Sequence, residues 1–313
     1  MFVQYNGIRL SNDWKENFQN LNGTDFIFSY LKPDIEGSKG GNSSVFLISD
    51  AQNQNNEFAI KISNIHEDKK SVKNRLKRER FEREIESLKL AKNHNLENII
   101  KLIDDGIITI PKEDNSHDFK FRYYIMEHAL TDLKEHILSE NVLDIQEKVQ
   151  ICSDISRSIQ QLHEIGVYHR DIKPDNIFNV HGIWKLGDLG LIDYRDEDKN
   201  IDTINERIGP FGWHSPETMN KWLTEEKESE FEFDCNLDHQ SDIYQLGMVF
   251  WFIFQGNAPI GQVRTDDFLS DFKSKDKMYA IIHSALSHVK ANRSPQLDLV
   301  ITELSEIGEE IGL

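Results

Sequence analysis

The hydrophobic pattern of this chain becomes helical almost throughout after residue 128, and that change limits the folds open to it. Before it, apolar and polar residues alternate over short stretches, which predicts strands. These stretches lie within residues 25–62, 99–110 and 119–126. Residues 69–93 and 142–165 have helical spacing instead. The pattern predicts an α+β chain with two lobes, a small antiparallel β lobe with one main helix and a larger, mostly helical lobe.

The same change gives the expected division of the chain. Residues 1–23 are polar and weakly patterned, and we interpret them as an N-terminal leader packed on the main domain. We expect an N-lobe over residues 24–127 and a C-lobe over residues 128–313, with the hinge near residues 127–130.

Composition excludes several classes of function. The chain has 36 Lys and Arg against 54 Asp and Glu, a net charge of −18, so dedicated nucleic-acid binding is not expected. The longest apolar stretch, residues 246–254, is too short to span a bilayer, and no signal-peptide pattern precedes it. Cys152 and Cys235 form no CxxC or zinc pattern, which favours a reducing compartment. We therefore expect a cytoplasmic protein with no membrane partner.

One eight-residue segment gives the strongest chemical signal. It reads HRDIKPDN, from His169 to Asn176, and a KLGDLG segment containing Asp188 follows it. An SPE segment ends at Glu217. In this order the segments resemble the eukaryotic-type protein kinases, whose catalytic loop is HRDxKxxN and whose metal site is DFG. The resemblance extends over residues 25–313.

The resemblance implies an ATP- and magnesium-dependent phosphotransferase with its catalytic residues in the C-lobe. Transfer of a γ-phosphoryl group concentrates negative charge on phosphate oxygens. Asn176 and Asp188 are then expected to hold Mg²⁺, which prefers hard oxygen ligands. Asp171 would orient or accept the proton of the attacking hydroxyl, and Lys173 would face the γ-phosphate.

The resemblance also implies that the N-lobe binds ATP. In the family, a lysine at the position of Lys61 contacts the α- and β-phosphates and needs a carboxylate from the helix. Glu84 fits that role because Leu88 lies four residues later on the same helix face, and Glu86 is the alternate.

The phosphate loop matches the family least well. Aligned on Val45, the segment keeps only the middle glycine of GxGxxGxV, Gly40, with Gly41 beside it. Serine is small enough to replace the outer glycines, so ATP binding is still expected, in a loop that is stiffer or less closely applied to the phosphates. The other ATP-binding residues that the resemblance implies are Asn42, Val45, Ala59, Met126, Glu127, Ala129 and Asp132.

Several residues are expected to support the site structurally. His169 is interpreted as a buried core histidine. Asp242 begins DIYQLG and would hold the backbone of the catalytic loop. By the resemblance, Glu217 would pair with Arg293.

Arg170 precedes Asp171, and a cation there commonly needs an anion from the activation segment. Phosphorylation of Thr203 or Tyr194 would supply it. The alternative is constitutive charge from the acidic residues Asp196, Glu197, Asp198 and Asp202. We interpret the basic run 69–80 and the acidic insert 222–238 as solvated faces, or else as a basic site that receives a phosphate or an acidic surface.

Two features disagree about the acceptor hydroxyl. Lys173 is typical of serine/threonine kinases, whereas Pro210 followed by Trp213 resembles tyrosine kinases. We give Lys173 more weight because, by the resemblance, it contacts the reacting phosphate. The sequence thus predicts Ser/Thr transfer to protein substrates, including itself, through self-association for trans-autophosphorylation. The alternatives are a tyrosine or dual-specificity kinase, a pseudokinase binding module and a small-molecule kinase of the same fold.

Overall fold

The structure is a computed structural model of the 313-residue chain. It describes residues 1–4, 7–31, 42–69, 71–139, 143–195, 201–226, 232–293 and 297–313. The chain divides into two compact units. Unit 1 comprises Met1–Asn95 and Ile100–Ala129, and unit 2 comprises Leu96–Ile99 and Leu130–Leu313.

Unit 1 contains eight strands among its described residues, which are β1 (Phe2–Gln4), β2 (Gly7–Arg9), β3 (Phe18–Leu21), β4 (Thr24–Ser29), β5 (Ser43–Asp50), β6 (Glu57–Ser63), β7 (Leu102–Pro111) and β8 (Asp118–Glu127). Six of them form an antiparallel sheet in the order β3-β4-β5-β6-β8-β7, while β1 and β2 form a separate hairpin. The helix α1 (Val72–Asn93) connects β6 to β7.

Alternation along the strands explains the core of unit 1. Phe46 and Ile48 on β5 are buried, as are Ile60 and Ile62 on β6, because successive side chains of a strand point to opposite faces. Ser71 caps α1, where its Oγ accepts a hydrogen bond from the backbone N–H of Asn74. The sheet and α1 therefore place Lys61 of β6 and the carboxylates of α1 within one unit.

The sequence pattern predicted no strands in residues 1–23, whereas β1, β2 and β3 lie there. β3 pairs with β4 at one edge of the six-stranded sheet. Met1, Ile8 and Leu21 are part of the buried core of unit 1. Strands of three or four residues are too short to give a readable alternation, which is why the sequence missed them.

Unit 2 combines short strands with six helices among its described residues. The strands are β9 (Thr131–Asp132), β10 (Val167–Tyr168), β11 (Ile177–Val180), β12 (Ile183–Leu186) and β13 (Asp193–Tyr194). The helices are α2 (Leu133–Leu138), α3 (Ile145–Glu164), α4 (Pro216–Thr224), α5 (His239–Gln255), α6 (Lys275–Ala285) and α7 (Leu297–Ile311). β11 lies between β12 and β9, and β10 pairs with β13.

Helix α5 is the buried helix of unit 2. Val249, Phe250 and Ile253 are almost fully inaccessible, and the helix ends at Gly256, which adopts the left-handed backbone conformation that favours glycine. The loop that carries Asp171 lies between β10 and β11, and β12 leads to Asp188. Short paired strands therefore position both acidic residues. Among the described helices, none is long and apolar enough to cross a membrane.

Candidate active site

Lys61 and Glu84 form a partly buried ion pair in unit 1. Lys61 Nζ lies 2.7 Å from Glu84 Oε1, and the hydroxyl of Tyr124 donates to the same oxygen at 2.7 Å. Tyr124 lies directly opposite Lys61 in the pairing of β6 with β8, which explains why the two side chains share one carboxylate. Glu86, the alternate partner, is exposed to solvent. The structure therefore brings Glu84 to Lys61, and it adds Tyr124, which the sequence analysis did not single out.

Some of the other predicted ATP-binding residues of unit 1 lie on strands β5, β6 and β8, and others do not. Val45 lies opposite Lys61 in the pairing of β5 with β6, and Ala59 lies opposite Met126 in the pairing of β6 with β8. Glu127 ends β8. Gly40 and Gly41 lie outside the described residues. The backbone carbonyl of Asn42 accepts a hydrogen bond from the N–H of Asn64 at 2.9 Å. Ala129 is the last residue of unit 1.

Asp132 is part of unit 2 and has a helix-capping role there. Its Oδ1 accepts from the backbone N–H of Glu135 at 2.8 Å, at the start of α2. Capping by a carboxylate satisfies one of the unpaired N–H groups of the first helical turn. The predicted contact with ribose therefore stays a prediction.

Asp171 is held through one carboxylate oxygen. Its Oδ2 accepts from Lys173 Nζ at 2.8 Å and from Asn176 Nδ2 at 2.9 Å. Its Oδ1 is buried and has no hydrogen-bond partner among the described residues. Burial raises the pKa of Asp171, and the nearby Asp188 carboxylate adds to that effect, while Lys173 opposes it. Asp171 thus keeps an unpaired, buried oxygen whose proton affinity is above normal.

His169 connects the Asp171 loop to the segment before Asp188. Its Nδ1 accepts from the backbone N–H of Asp171 at 3.2 Å, and its Nε2 lies 3.0 Å from the carbonyl of Gly187. This pattern places a proton on Nε2, which donates to the carbonyl, and leaves Nδ1 as the acceptor. His169 is fully buried, as predicted for a core histidine. Its ring also forms hydrogen bonds with the backbone of Asp171 and of Gly187.

Asp188 follows β12 with φ 58°, in the left-handed region, and is exposed. Asn176 ends the short 3₁₀ helix after Lys173, and its Nδ2 also donates to the carbonyl of Asp171 at 2.8 Å. The amide nitrogen of Asn176 is therefore engaged by Asp171, which makes its oxygen the atom suited to a metal. Leu189, after Asp188, is completely buried.

Arg170 binds two carboxylates that the chain itself supplies. Its guanidinium contacts Asp202 at 2.7 and 3.1 Å and Asp193 at 3.2 Å. It also donates to the carbonyls of Leu191 and Ile192. Arg170 has φ 64°, so its backbone is also in the left-handed region.

The two predicted phosphorylation sites have contacts of their own. Thr203 is exposed, and its hydroxyl donates to Glu206 Oε2 at 3.3 Å. Tyr194 lies on β13 opposite Val167. Of the four acidic alternatives, Asp202 pairs with Arg170, and Asp196, Glu197 and Asp198 lie outside the described residues. Phosphorylation at either site stays a prediction.

Asp242 holds the backbone next to Asp171. Its two carboxylate oxygens accept from the N–H groups of His169 at 2.8 Å and Arg170 at 2.7 Å. His163 Nε2 lies 2.8 Å from the same carboxylate. Burial opposes ionisation of Asp242, but the hydrogen bond and charge of His163, together with the N–H of Arg170, lower its pKa. An ionised Asp242 therefore fixes the loop from the first turn of α5.

Glu217 and Arg293 form a buried ion pair in unit 2. Arg293 Nη2 lies 2.6 Å from Glu217 Oε1. The remaining guanidinium nitrogens donate to the carbonyls of Ser287 at 2.7 Å and Gln240 at 2.8 Å. The pair connects the first turn of α4 to the segment before α7.

A sequence model of the protein kinase domain matches residues 37–309, most of the chain. The chain therefore belongs to the protein kinase domain family, as the HRDIKPDN and KLGDLG segments indicated. The β-sheet of unit 1 and the helices of unit 2 are consistent with that family's fold.

Curated relatives include serine/threonine and dual-specificity kinases. The chain is 24% identical to Dual specificity protein kinase TTK of Mus musculus over 260 residues, 83% of this chain and 27% of that protein. It is 30% identical to Serine/threonine-protein kinase PrkC of Bacillus subtilis (strain 168) over 182 residues, 58% of this chain and 24% of that protein. The chain thus spans about a quarter of the length of these relatives.

Proposed function

We propose that this chain is an ATP- and Mg²⁺-dependent protein kinase that transfers the γ-phosphate to Ser or Thr hydroxyls of protein substrates, including its own. The observation that carries the proposal is the Asp171 carboxylate. One of its oxygens is held by Lys173 and Asn176, and the other is buried without a partner among the described residues. A buried carboxylate needs such a partner, and the hydroxyl of an acceptor residue supplies one.

The side chains of unit 2 fit a magnesium–nucleotide complex. Asn176 has its amide nitrogen committed to Asp171, so its oxygen is the group that would bind the metal. Asp188 would provide the second oxygen ligand, since Mg²⁺ prefers carboxylate and carbonyl oxygens and keeps several waters. When bound, the ion neutralises charge on the phosphate oxygens. Lys173, 2.8 Å from Asp171, would add a further positive charge.

Asp171 would take the acceptor's proton at Oδ1. Burial and the Asp188 carboxylate raise its pKa, which brings it closer to the pH of the reaction and makes it a better base. His169 accepts from the backbone N–H of Asp171, and Asp242 accepts from that of Arg170, so both hold the backbone that leads into Asp171. The chain's own residues thus orient the hydroxyl and receive its proton.

In unit 1 we propose that Lys61 contacts the α- and β-phosphates. Glu84 and Tyr124 support this role, because their shared hydrogen bonds fix the ammonium on β6. An ammonium held in one position binds phosphate with less loss of side-chain entropy.

Dual specificity is a second candidate, and it has its own observation. Pro210 has no hydroxyl to bond Lys173 or Asp171, and Lys173 bonds Asp171 directly. The relative of Mus musculus is itself named a dual-specificity kinase. Phosphoamino-acid analysis of the autophosphorylated protein decides between the two, because dominant phosphotyrosine contradicts Ser/Thr transfer.

The proposal is tested by Asp171→Asn, with Asp175→Asn as a matched control in the same loop. Asp175 bonds Lys134 at 3.0 Å, so the control removes the same charge without touching Asp171. With ATP, Mg²⁺ and a protein substrate, we expect Asp171→Asn to lower the rate at least about 10²-fold and the control to keep it within about threefold. Transfer only to small molecules, or ATP binding without transfer in the unaltered chain, contradicts the proposal.

A further inference from the structure

Gln245, on α5, contacts three backbone groups of two neighbouring loops. Its Oε1 accepts from the N–H of Ile172 at 2.9 Å. Its Nε2 donates to the carbonyl of Arg170 at 3.2 Å and to that of Trp213 at 3.1 Å. Gln245 is only 1% exposed, so these three partners replace water for the whole amide.

Only a primary amide of this length satisfies all three groups. A backbone N–H donates and a carbonyl accepts, so the partners themselves fix which end of the amide is oxygen. An ionised glutamate has no donor, methionine offers neither a donor nor a strong acceptor, and asparagine is one methylene shorter. The site is therefore specific for glutamine at position 245.

Two of the three partners flank Asp171 on the chain. Gln245 holds the carbonyl of Arg170 and the N–H of Ile172, while Asp242, one helical turn earlier on α5, holds the N–H of Arg170. Residues three apart lie on the same face of a helix, which explains why both side chains meet this loop. The backbone on both sides of Asp171 is thus fixed by α5.

The third partner belongs to the segment 209–213, which lies beside Asp171. A Cβ built at Gly209 would come 3.5 Å from Asp171 Oδ1, the oxygen for which the described residues provide no partner. Trp213 closes a turn onto the carbonyl of Pro210 at 3.2 Å, and its ring packs edge-on against Phe252 of α5. Gln245 therefore joins this segment to the loop that carries Asp171.

We propose that Gln245 is a positioning residue that fixes the Asp171 carboxylate relative to segment 209–213, and so determines where the acceptor hydroxyl is held. This inference rests on the proposed phosphotransfer function. A displacement of about 1 Å can cost on the order of 10²-fold in rate. Loss of the amide therefore impairs transfer to a protein acceptor and leaves ATP binding, which uses other residues, unchanged.

The first test compares Gln245→Met with Gln146→Met. Gln146 Nε2 donates to the carbonyl of Ile311 at 3.1 Å. The control therefore also removes a hydrogen bond between two elements of unit 2, and neither partner belongs to the loop that carries Asp171 or to segment 209–213. For Gln245→Met we expect kcat/KM for the protein acceptor to fall about 10²-fold, with the KM for ATP within about twofold. The control is expected to keep both.

Hydrogen exchange gives a readout that does not depend on catalysis. Peptides covering residues 169–176 and 209–215 are expected to exchange faster in Gln245→Met than in the unaltered chain, and at the same rate in Gln146→Met. If Gln245→Met keeps both exchange rates and the acceptor kcat/KM, the proposal is wrong.

Gln245→Glu separates positioning from general stability. A buried carboxyl has a raised pKa, and its protonated form can accept from Ile172 and donate to one carbonyl. We expect the acceptor kcat/KM of this variant, relative to the unaltered chain, to recover on going from about pH 8 to about pH 6. A flat ratio contradicts the proposal, and this variant decides the matter if Gln245→Met does not fold.

Failure of the proposed function is distinguishable from failure of this inference. If the unaltered chain transfers no phosphate, the kinase proposal fails, and the exchange of the two peptides still decides the role of Gln245. Faster exchange of both peptides in the variant then supports positioning, and unchanged exchange contradicts it.

Discussion

Two ion pairs, one in each unit, have nearly equal lengths, but they hold their cations differently. Lys61–Glu84 in unit 1 spans 2.7 Å and Glu217–Arg293 in unit 2 spans 2.6 Å. Arg293 is inaccessible to solvent, and backbone carbonyls bind its other nitrogens. The Lys61 side chain remains 13% exposed. The enclosed Arg293 therefore suits a structural ion pair, whereas the Lys61 ammonium remains partly accessible to a ligand.

Removing the cation of the structural pair is expected to have the largest effect. Arg293→Ala leaves Glu217 as a buried charge without its partner, which costs about 3–5 kcal/mol in the free energy of unfolding. Urea denaturation measures it, with the exposed-loop variant Arg264→Ala as the control. A loss below about 1 kcal/mol in the free energy of unfolding is typical of an exposed ion pair, and it would contradict a larger structural role for Glu217–Arg293 than for Lys61–Glu84.

The pair in unit 1 is expected to affect rate more than stability. Glu84→Gln keeps a hydrogen-bond acceptor for Lys61 and Tyr124 but removes the charge, so we expect phosphotransfer to fall about 10–10²-fold with a higher KM for ATP. Glu86→Gln, on the same helix but exposed, is the matched control. Steady-state kinetics and thermal unfolding are measured together. An equal loss of phosphotransfer rate in Glu84→Gln and Glu86→Gln would contradict a special role for the Glu84 carboxylate.

A third ion pair, Arg170–Asp202, is also buried, with 3% of the Arg170 side chain and 2% of the Asp202 side chain exposed. We expect the Asp202 carboxylate to supply the charge that phosphorylation of Thr203 would otherwise bring, because it already binds Arg170. Asp202→Asn is then expected to lower activity about tenfold, and Thr203→Ala to leave it unchanged. Kinase assays with phosphosite mapping check both. The reverse result, with phosphate found on Thr203 or Tyr194 in the active protein, would assign the role to phosphorylation.

The smallest expected effect is a shift in pH dependence. The Asp171 base must be ionised, so the rate falls as pH drops through its pKa, which lies above the usual value of 3.8. Lys173 lowers that pKa, so Lys173→Met is expected to move the acid limb of the kcat profile to higher pH. Stability has the opposite sign: native Asp171 binds its proton more tightly than unfolded Asp171, so its contribution falls as pH rises through the raised pKa. An acid limb that moves to lower pH would contradict the assignment.

Local spacing predicted the residues that lie close together along the chain. The resemblance to kinases implies a glutamate one helical turn before a leucine, and the spacing from Glu84 to Leu88 fits that pattern, while the Asp171 loop is a continuous segment. Tyr124 and Gln245 were missed because their partners lie 40 and 73 residues away, in contacts set by strand register and by the packing of α5. The pairing of Asp202 with Arg170, 32 residues away along the chain, likewise depends on how the chain folds back toward Arg170.

Arg170 and Asp188 both adopt left-handed backbone angles, at φ 64° and φ 58°, although neither is glycine. Such a conformation costs a residue with a side chain roughly 1–2 kcal/mol. At position 170 glycine would relieve the strain, but it would leave the buried Asp202 carboxylate without the guanidinium, which costs more than the strain. At position 188 glycine would relieve the strain and remove the proposed metal ligand. Laboratory evolution that selects for heat resistance alone is therefore expected to enrich glycine at position 188 but not at position 170, and to yield more stable proteins with impaired catalysis.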